Sequence, residues 1–294
     1  MKTEIRSEFE VCDKFPKSVL RYPGGKARIL KMIMDFVPEH FNEYREPFVG
    51  GGSVFLHLLN TRPKMKFWIN DINYDLMAFW YTLRDYGKEL TDTLLKIKEE
   101  NLDGKNLYYK LKNQNINKLE TFDRGVRFFV LNRITYSGLV DAGGYSKESF
   151  KKRFTQNSID NLIQVSPKMK NVKITSEDYE QMLRTPGKEV FMFLDPPYET
   201  KKSSKLYGKG GKNGIDFNNE RLLKELTECR HIWLLTYDKT ERIYNDYSRF
   251  AAVDEKIVQY GTNKGENGQA RKGNELFIHN YEIERNEQVY LNSS

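Results

Sequence analysis

The strongest chemical signal in the sequence is the tetrad Asp195-Pro196-Pro197-Tyr198, which directly follows the apolar stretch Glu189–Leu194. Proline has no N–H group, so this turn offers hydrogen-bond acceptors and few donors. A carboxylate oxygen and a proline carbonyl can both accept from one NH₂ group, and the Tyr198 ring can stack on a planar heterocycle. The tetrad therefore suits the exocyclic amine of a nucleobase. The alternative is a rigid turn that merely ends a strand.

A second candidate is the glycine turn Gly50-Gly51-Gly52-Ser53, which separates a candidate strand, residues 44–48, from the apolar run 54–59. Three glycines suit a loop that is pressed against a nucleoside and its tail. The pattern is neither the dinucleotide-binding fingerprint nor a Walker loop. Ser53 is predicted to cap the helix that follows. The alternative is an ordinary tight turn between a strand and a helix.

Asp71 lies about 20 residues beyond the glycine turn, at the end of the next candidate strand, residues 66–69. An acid at that point commonly accepts hydrogen bonds from ribose hydroxyls. The alternative is that Asp71 is the N-cap of a helix that begins at Ile72.

Upstream, the motif Arg21–Lys26 precedes a predicted helix over residues 27–36. Its glycines would let backbone N–H groups approach an anion or carboxylate, although a plain Pro-Gly turn is also consistent.

The charge of the chain is concentrated in one internal segment. The 294 residues include 48 basic and 41 acidic side chains, a net charge of +7. Residues 101–170 hold 13 basic and 6 acidic side chains, so the rest of the chain is neutral. This segment is interpreted either as a phosphate-binding surface or as a solvated basic face.

Composition excludes several classes of protein. With 18 Phe, 18 Tyr and 3 Trp the chain can build a core, so intrinsic disorder is not expected. No apolar run approaches the roughly 18 residues of a membrane span, and the first ten residues lack the apolar region of a secretory signal. Cys12 and Cys229 have no CxxC partner, which argues against a disulfide framework and a zinc site. We therefore expect a reducing, cytoplasmic setting.

The motifs are arranged as helix, strand, glycine turn, helix and strand, which is typical of a doubly wound parallel sheet. Residues 75–135 are predicted to be mostly helical, and residues 136–170 turn-rich and basic. Alternation of strand and helix resumes near Val172. We expect an α/β domain in two parts, residues 1–74 and 170–294, interrupted by an insertion over residues 75–169.

Taken together, four of these motifs resemble, in their order, those of the Dam-type DNA adenine N6-methyltransferases. They are Tyr22-Pro-Gly-Gly-Lys26, Glu46-Pro-Phe-Val-Gly-Gly-Gly-Ser-Val-Phe55, Asn70-Asp-Ile-Asn73 and Asp195-Pro-Pro-Tyr198. The resemblance extends from about Leu20 to Tyr281. It implies a seven-stranded, Rossmann-like S-adenosylmethionine-dependent methyltransferase fold in the alpha arrangement, with the insertion as a DNA target-recognition domain.

The resemblance also implies the activity. It predicts methyl transfer from S-adenosyl-L-methionine to the N6 amine of an adenine flipped out of double-stranded DNA, leaving S-adenosyl-L-homocysteine. No metal is expected, because the sulfonium of the cofactor is already electrophilic. The enzyme could act in restriction-modification beside a cognate restriction endonuclease, or alone, and a monomer is the default expectation.

Site residues follow from the matching motifs. The catalytic set is Asp195, Pro196, Pro197 and Tyr198. The predicted cofactor contacts are Tyr22, Gly24, Lys26, Glu46, Phe48, Gly50, Gly52, Ser53, Asp71 and Asp195. The predicted DNA contacts in the basic insertion are Arg124, Arg127, Arg133, Tyr136, Lys147, Lys151, Lys152 and Arg153, each of which is also compatible with a structural role. The lysine-rich segment 201–214 is interpreted as a loop that closes on DNA or as a surface loop.

One departure concerns the base sequence that is recognised. Where GATC-reading members carry an arginine, this chain has Asp141, so GATC specificity is not expected. An aspartate can accept from a cytosine amine. Two other functions remain open: an amino-methyltransferase acting on RNA or a protein amide, and a non-catalytic nucleic-acid-binding module on the same scaffold. The intact tetrad argues against the second.

Overall fold

The computed structural model describes residues 15–22, 24–198, 217–264 and 270–283. Within these ranges seven strands form one sheet in the order β3-β2-β1-β4-β5-β7-β6. The strands are β1 Glu43–Glu46, β2 Lys66–Asn70, β3 Lys173–Thr175, β4 Val190–Leu194, β5 Ile232–Asp238, β6 Ala252–Lys264 and β7 Ala270–His279.

Eleven α-helices are assigned over the same described ranges. They are α1 Leu30–Met34, α2 Ser53–Thr61, α3 Tyr74–Asp85, α4 Gly87–Glu100, α5 Gly104–Lys112, α6 Thr121–Ile134, α7 Lys147–Arg153, α8 Gln156–Val165, α9 Tyr179–Arg184, α10 Asn219–Glu228 and α11 Glu241–Tyr247. Short 3-10 turns cover Lys26–Arg28, Ile116–Lys118, Tyr136–Gly138 and Ser166–Met169.

The sheet has the doubly wound arrangement that the motif order predicts. Strands β3, β2, β1, β4 and β5 are parallel, whereas β7 pairs antiparallel with both β5 and β6. The chain passes from β1 outward to β2 and β3, then returns to β4 on the other side of β1. Such a reversal leaves a crevice at the carboxyl ends of the strands, where open α/β sheets bind ligands. The prediction of an α/β fold is therefore confirmed.

Alternating side chains of the central strands fill two hydrophobic clusters, one on each face of the sheet. On β4, Phe191 and Phe193 lie in the larger cluster, while Met192 and Leu194 lie in the smaller one. Burial of each such side chain contributes about 1.5–3 kcal/mol. Because β4 is covered on both faces, its carboxyl end, and the tetrad that follows, is held in a rigid frame.

Helices α4 to α8 lie in the chain between β2 and β3 and share the larger cluster with the sheet. Leu107 and Leu111 of α5 belong to it, as do Phe129 and Leu131 of α6. Helix α3 also contacts the glycine turn, since Trp80 Nε1 donates to the Gly50 carbonyl at 3.3 Å. The predicted boundary between the α/β domain and the insertion, at residue 75, stays a prediction.

Two local predictions were wrong. The helix expected over residues 27–36 is a 3-10 turn followed by the five-residue α1, with Ile29 between them at φ −104° and ψ 13°. The segment expected to be turn-rich, residues 136–170, contains α7 and α8. Their start signals are Ser146, which accepts from the Ser149 N–H, and a capping box at Thr155. Among the helices described, none has the length and apolarity needed to cross a membrane.

Candidate active site

The tetrad leaves the carboxyl end of β4, and the hydrogen bonds to Asp195 converge on one of its two oxygens. Oδ1 accepts from Lys26 Nζ at 2.7 Å, and Thr236 Oγ1 lies 3.3 Å from it. The Tyr198 hydroxyl lies 2.9 Å from Oδ1 and 2.7 Å from Glu275 Oε1, so its single proton is shared between these two acceptors. No described residue donates to Oδ2, and the side chain is 21% exposed. The carboxylate is therefore fixed through Oδ1, while Oδ2 is available to accept from a ligand.

Lys26 lies buried between two carboxylates that come from opposite parts of the chain. Its Nζ is 2.7 Å from Asp195 Oδ1, 3.3 Å from Glu275 Oε1 and 2.8 Å from the Tyr198 hydroxyl. Burial lowers the pKa of Lys26, but the charges of Asp195 and Glu275 outweigh it, and the pKa is raised above its ordinary value. Lys26 therefore carries a positive charge at neutral pH.

The Tyr198 ring packs into the smaller hydrophobic cluster. It stacks on Tyr237 with ring centroids 4.8 Å apart and an interplanar angle of 26°. The Tyr237 hydroxyl in turn donates to the Pro197 carbonyl at 3.3 Å. Burial, with the charges of Asp195 and Glu275, raises the pKa of Tyr198 well above its ordinary value, so the phenol is neutral. The residue is 9% exposed and Lys26 Nζ lies 4.9 Å from the ring centroid. That this ring stacks on a base stays a prediction.

The glycine turn after β1 has a backbone that only glycine adopts readily. Gly50 has φ +46° and Gly52 has φ +64°, both in the left-handed region. A Cβ at Gly50 would lie 2.9 Å from the Tyr22 ring, and one at Gly52 would lie 2.9 Å from Trp80. Gly52, not Ser53, is the N-cap of α2, so the capping role predicted for Ser53 was wrong. Ser53 is instead the buried first residue of that helix.

Asp71 follows β2 and is tied to the glycine turn. Its carboxylate accepts from the Gly50 N–H at 3.2 Å and from the Asn73 N–H at 3.0 Å. Burial raises the pKa of Asp71 to about 6 in spite of these hydrogen bonds. The N-cap of α3 is Asn73, which accepts from the Leu76 N–H, so the alternative role considered for Asp71 is excluded.

Glu46 is the last residue of β1, and Phe48 lies between β1 and the glycine turn. The Glu46 carboxyl accepts from the Tyr44 hydroxyl at 2.6 Å and from the Phe55 backbone N–H. Burial raises its pKa well above the ordinary value, and the charges of Asp195 and Asp71 add to this. Phe48 packs against Tyr179 and Phe217. Gly24, with φ +83°, is exposed at the opening of the Lys26 turn. Whether these residues touch a cofactor stays a prediction.

These elements fit S-adenosylmethionine. The backbone at Gly50 and Gly52 is free of side chains, so a nucleoside could approach it closely. The Asp71 carboxylate is an acceptor for ribose hydroxyls. The N–H groups at the start of α2 and the buried carboxylates suit a ligand that carries both a carboxylate and positive charges.

Three arginines of the predicted DNA-binding set are turned into the protein. Arg127 is 3% exposed and donates from Nε to the Leu111 carbonyl at 3.0 Å. Arg133 donates to the Val19 carbonyl and lies over the Phe129 ring. Burial, with the nearby charges of other arginines, lowers the pKa of Arg133 to about 10. Arg124 pairs with Asp75 at 3.0 Å. In this conformation Arg127 and Arg133 offer no exposed guanidinium to a phosphate.

The other members of that set lie on the surface. Lys147, Lys151, Lys152 and Arg153 are exposed on α7, and Tyr136 is 69% exposed. Arg21 fastens this region to the cofactor motifs, because its Nη1 donates to the Thr135 carbonyl at 3.0 Å and to Ser149 Oγ at 3.2 Å. The basic face of α7 is thus joined through Arg21 to the segment whose next residue, Tyr22, covers the glycine turn. The lysine-rich segment 201–214 lies outside the described residues.

Sequence reasoning missed three residues of the site: Thr236, Tyr237 and Glu275. The first two end β5, and neither residue type signals a role by itself. Glu275 had a weak signal, since it is an acid inside the apolar strand segment Asn274–Ile278 and is fully buried there. Acids are almost never buried without a partner.

Comparisons with known proteins agree with the geometry. A family profile described as D12 class N6 adenine-specific DNA methyltransferase matches residues 22–260. The type II methyltransferase M.MjaIII of Methanocaldococcus jannaschii is 32% identical over 224 residues, covering 69% of this chain and 76% of that protein. The type II methyltransferase M1.LlaDCHI of Lactococcus lactis subsp. cremoris is 23% identical, covering 89% of this chain and 94% of that protein.

The DNA adenine methylase of Escherichia coli is 24% identical over 269 residues, covering 87% of this chain and 92% of that protein. The profile match over residues 22–260 includes the glycine turn, the segment 75–169 and the tetrad. The resemblance noted from the motifs is thereby confirmed, as is an S-adenosylmethionine-dependent methyltransferase fold. The chain belongs to the D12 class of N6 adenine-specific DNA methyltransferases.

Proposed function

We propose that this enzyme holds the N6 amine of a flipped-out adenine between Asp195 Oδ2 and the Pro196 carbonyl. The observation that supports this is the one-sided bonding of Asp195: the polar contacts of Lys26, Tyr198 and Thr236 all reach Oδ1, and none of the described residues reaches Oδ2. The Pro196 carbonyl likewise has no donor among the described residues. One NH₂ group has two N–H bonds, and these two acceptors match them.

The two acceptors make the amine a better nucleophile. The lone pair of an adenine amine is delocalised into the ring, and holding both N–H bonds favours a more tetrahedral nitrogen with its lone pair directed outward. S-adenosylmethionine supplies the methyl group. A nitrogen–carbon bond forms as the carbon–sulfur bond breaks, and the amine then loses one proton to solvent or Asp195. Orienting the two reactants supplies much of the acceleration.

The adenine must leave the base stack to reach this site, at a cost of a few kcal/mol. The exposed Tyr136 is the residue proposed to fill the space in the duplex, and the basic face of α7 the one proposed to hold phosphates. Both are fastened to the cofactor segment through Arg21. We propose Asp71 as the acceptor for the ribose hydroxyls, with Tyr22, Lys26, Gly50 and Gly52 lining the cofactor pocket.

Four finer features of the activity are also proposed. Asp141 stands where GATC-reading members carry arginine, which favours a recognition sequence other than GATC. Two of the similar proteins are named type II methyltransferases, which supports a role beside a cognate restriction endonuclease. The enzyme is proposed to need no metal and to act as a monomer on one strand at a time.

The test is expression in a host that lacks adenine methylation, followed by sequencing of its DNA with base-modification readout. We expect N6-methyladenine at one short motif, and none in the Asp195→Ala variant when that variant is folded. No methyladenine from the folded wild-type chain would overturn the proposal and redirect the search to RNA and protein amides. Methylation at GATC would uphold the chemistry but contradict the argument from Asp141.

A further inference from the structure

Asn132 is a buried polar side chain that the mechanism above does not use. It lies near the end of α6, is 1% exposed, and makes three hydrogen bonds through its amide. Nδ2 donates to the Arg21 carbonyl at 2.8 Å and to the Gly138 carbonyl at 3.0 Å, and Oδ1 accepts from the Arg21 N–H at 2.9 Å. The donors and the acceptor of one amide are thus engaged with the backbones of two separate segments.

The two segments that Asn132 joins also touch each other directly. A Cβ at Gly138 would lie 2.4 Å from the Arg21 carbonyl oxygen, so the two backbones can approach this closely only because residue 138 is glycine. Gly138 has φ +75° and Ser137 has φ +55°, which makes a sharp turn directly after Tyr136. We call residues 136–138 the Tyr136 turn.

Each of these segments carries an aromatic residue for which a ligand contact is proposed above. Tyr136 is 69% exposed and is proposed to fill the space that the flipped adenine leaves in the duplex. Tyr22 follows Arg21, and its ring lies over the glycine turn, where a Cβ at Gly50 would come within 2.9 Å of it. A cofactor bound at the glycine turn would therefore contact the segment that Asn132 holds.

We propose that Asn132 is a positioning residue that couples cofactor binding to the insertion of Tyr136 into DNA. Because its amide bonds Arg21 and Gly138 at the same time, a cofactor that packs against Tyr22 also restrains the Tyr136 turn. The ligand that binds first orders both segments, and the second ligand meets a site that is already ordered. Such coupling is reciprocal, so each ligand raises the affinity for the other by the same factor. The inference rests on the proposed cofactor pocket and on the proposed role of Tyr136.

The test is hydrogen–deuterium exchange of the full chain without DNA, at zero and at saturating S-adenosylmethionine. The N–H groups of Tyr136, Gly138 and Leu139 are hydrogen-bonded within residues 135–144, so their exchange reports on opening of the Tyr136 turn. We expect the cofactor to slow this exchange by about fivefold or more, a typical coupling between two sites. Unchanged exchange in the wild-type chain with bound cofactor would overturn the proposal without any variant.

Variants separate coupling from a role in folding alone. Asn132→Ala removes all three hydrogen bonds, and Asn132→Asp keeps only the acceptor for the Arg21 N–H. Both should still bind saturating cofactor, but the cofactor should no longer slow exchange in the Tyr136 turn. If the protection persists in folded Asn132→Ala, the cofactor acts on the turn by another route and Asn132 is only structural.

Thr82→Ala is the matched control. Thr82 is also 1% exposed, and its hydroxyl donates to the Thr121 carbonyl at 3.3 Å, at the opposite end of α6. The variant should lower thermal stability and retain the protection of the Tyr136 turn by cofactor. Loss of that protection in folded Thr82→Ala would mean that any weakening of α6 abolishes it, and would contradict a specific role for Asn132.

A second measurement follows DNA binding by fluorescence anisotropy, on a duplex that carries the motif found by sequencing. S-adenosylhomocysteine, which cannot transfer a methyl group, serves as the cofactor. We expect it to raise the duplex affinity of the wild-type enzyme by about fivefold or more, and to have no such effect on Asn132→Ala. An equal affinity with and without this ligand in the wild-type enzyme would overturn the coupling.

The exchange experiment is independent of the DNA reaction. If no adenine is methylated but the cofactor protects the Tyr136 turn through Asn132, the link between the two segments stands and the assignment of the substrate fails. If adenine is methylated and the turn is not protected, only the role of Asn132 fails.

Discussion

The buried cluster of Lys26, Asp195, Tyr198 and Glu275 and the basic region 101–170 use charged side chains in opposite ways. In the cluster, Lys26 meets Asp195 and Glu275, residues that are far apart in the chain, and their charges are buried against one another. In the basic region, Arg127 and Arg133 donate hydrogen bonds to backbone carbonyls, whereas the cationic side chains of α7 are exposed to solvent. The first arrangement fixes the Asp195 carboxylate, which we propose as an acceptor for the reacting amine. In the second arrangement, some of the basic side chains are bonded inside the protein and the others are exposed on its surface.

This difference explains why the net charge of the insertion is a poor guide to its DNA contacts. Residues 101–170 carry an excess of seven positive charges, but some of those charges are already satisfied inside the protein. Only exposed cations release counterions from DNA when they approach phosphates. The DNA surface proposed for this region is therefore smaller and more localised than its composition suggests.

The largest expected effect concerns the exposed half of the insertion. Combining Lys147→Ala, Lys151→Ala, Lys152→Ala and Arg153→Ala should lower duplex affinity on the order of 10²-fold at about 0.15 M salt, because each lost phosphate contact reduces the salt slope by about 0.9. Fluorescence anisotropy across a salt series measures both quantities. A slope equal to that of the wild-type enzyme would place the DNA surface elsewhere.

The matched change in the buried half is Arg127→Met. It removes the donor to the Leu111 carbonyl and leaves Asp75 with one cation fewer, so we expect the free energy of unfolding to fall by about 2 kcal/mol. Urea denaturation measures this loss. The salt slope of DNA binding should stay at the wild-type value. A reduced slope in the folded variant would mean that Arg127 turns outward to contact a phosphate. It would contradict the assignment of Arg127 to the buried group.

A smaller effect concerns the pH dependence of cofactor binding at Asp71. Burial raises the pKa of Asp71 to about 6, so the carboxyl gains a proton as the pH falls through that value. The protonated form is the poorer acceptor for ribose hydroxyls, and S-adenosylmethionine affinity should fall about tenfold for each pH unit below 6. Calorimetry from pH 5 to 8 tests this, with Asp71→Asn expected to bind weakly and without this pH dependence. A pH-independent wild-type affinity would remove Asp71 from the ribose site.

Much of the fold and of the catalytic motif was predictable from the sequence because the signals are local. The apolar stretch before Asp195, the glycines at 50–52 and the order of strands and helices each reflect backbone sterics or periodicity within a few residues. The same local reasoning failed for α7 and α8, whose short, polar sequences resemble turns. It also failed for Ser53, because Gly52 takes the N-cap with a positive φ.

The sequence by itself determined the strand that carries Asp195, the acceptor-rich turn after it and the glycine turn that suits a nucleoside. Only the tertiary structure decided that Glu275 joins Lys26 and Asp195, that the described residues contact Asp195 through Oδ1, and that Arg127 points inward while Lys151 points outward. The reason is physical. Backbone conformation depends on neighbouring residues, but the burial and pairing of a charge depend on which distant segments pack around it, and that is settled only when the whole sheet has formed.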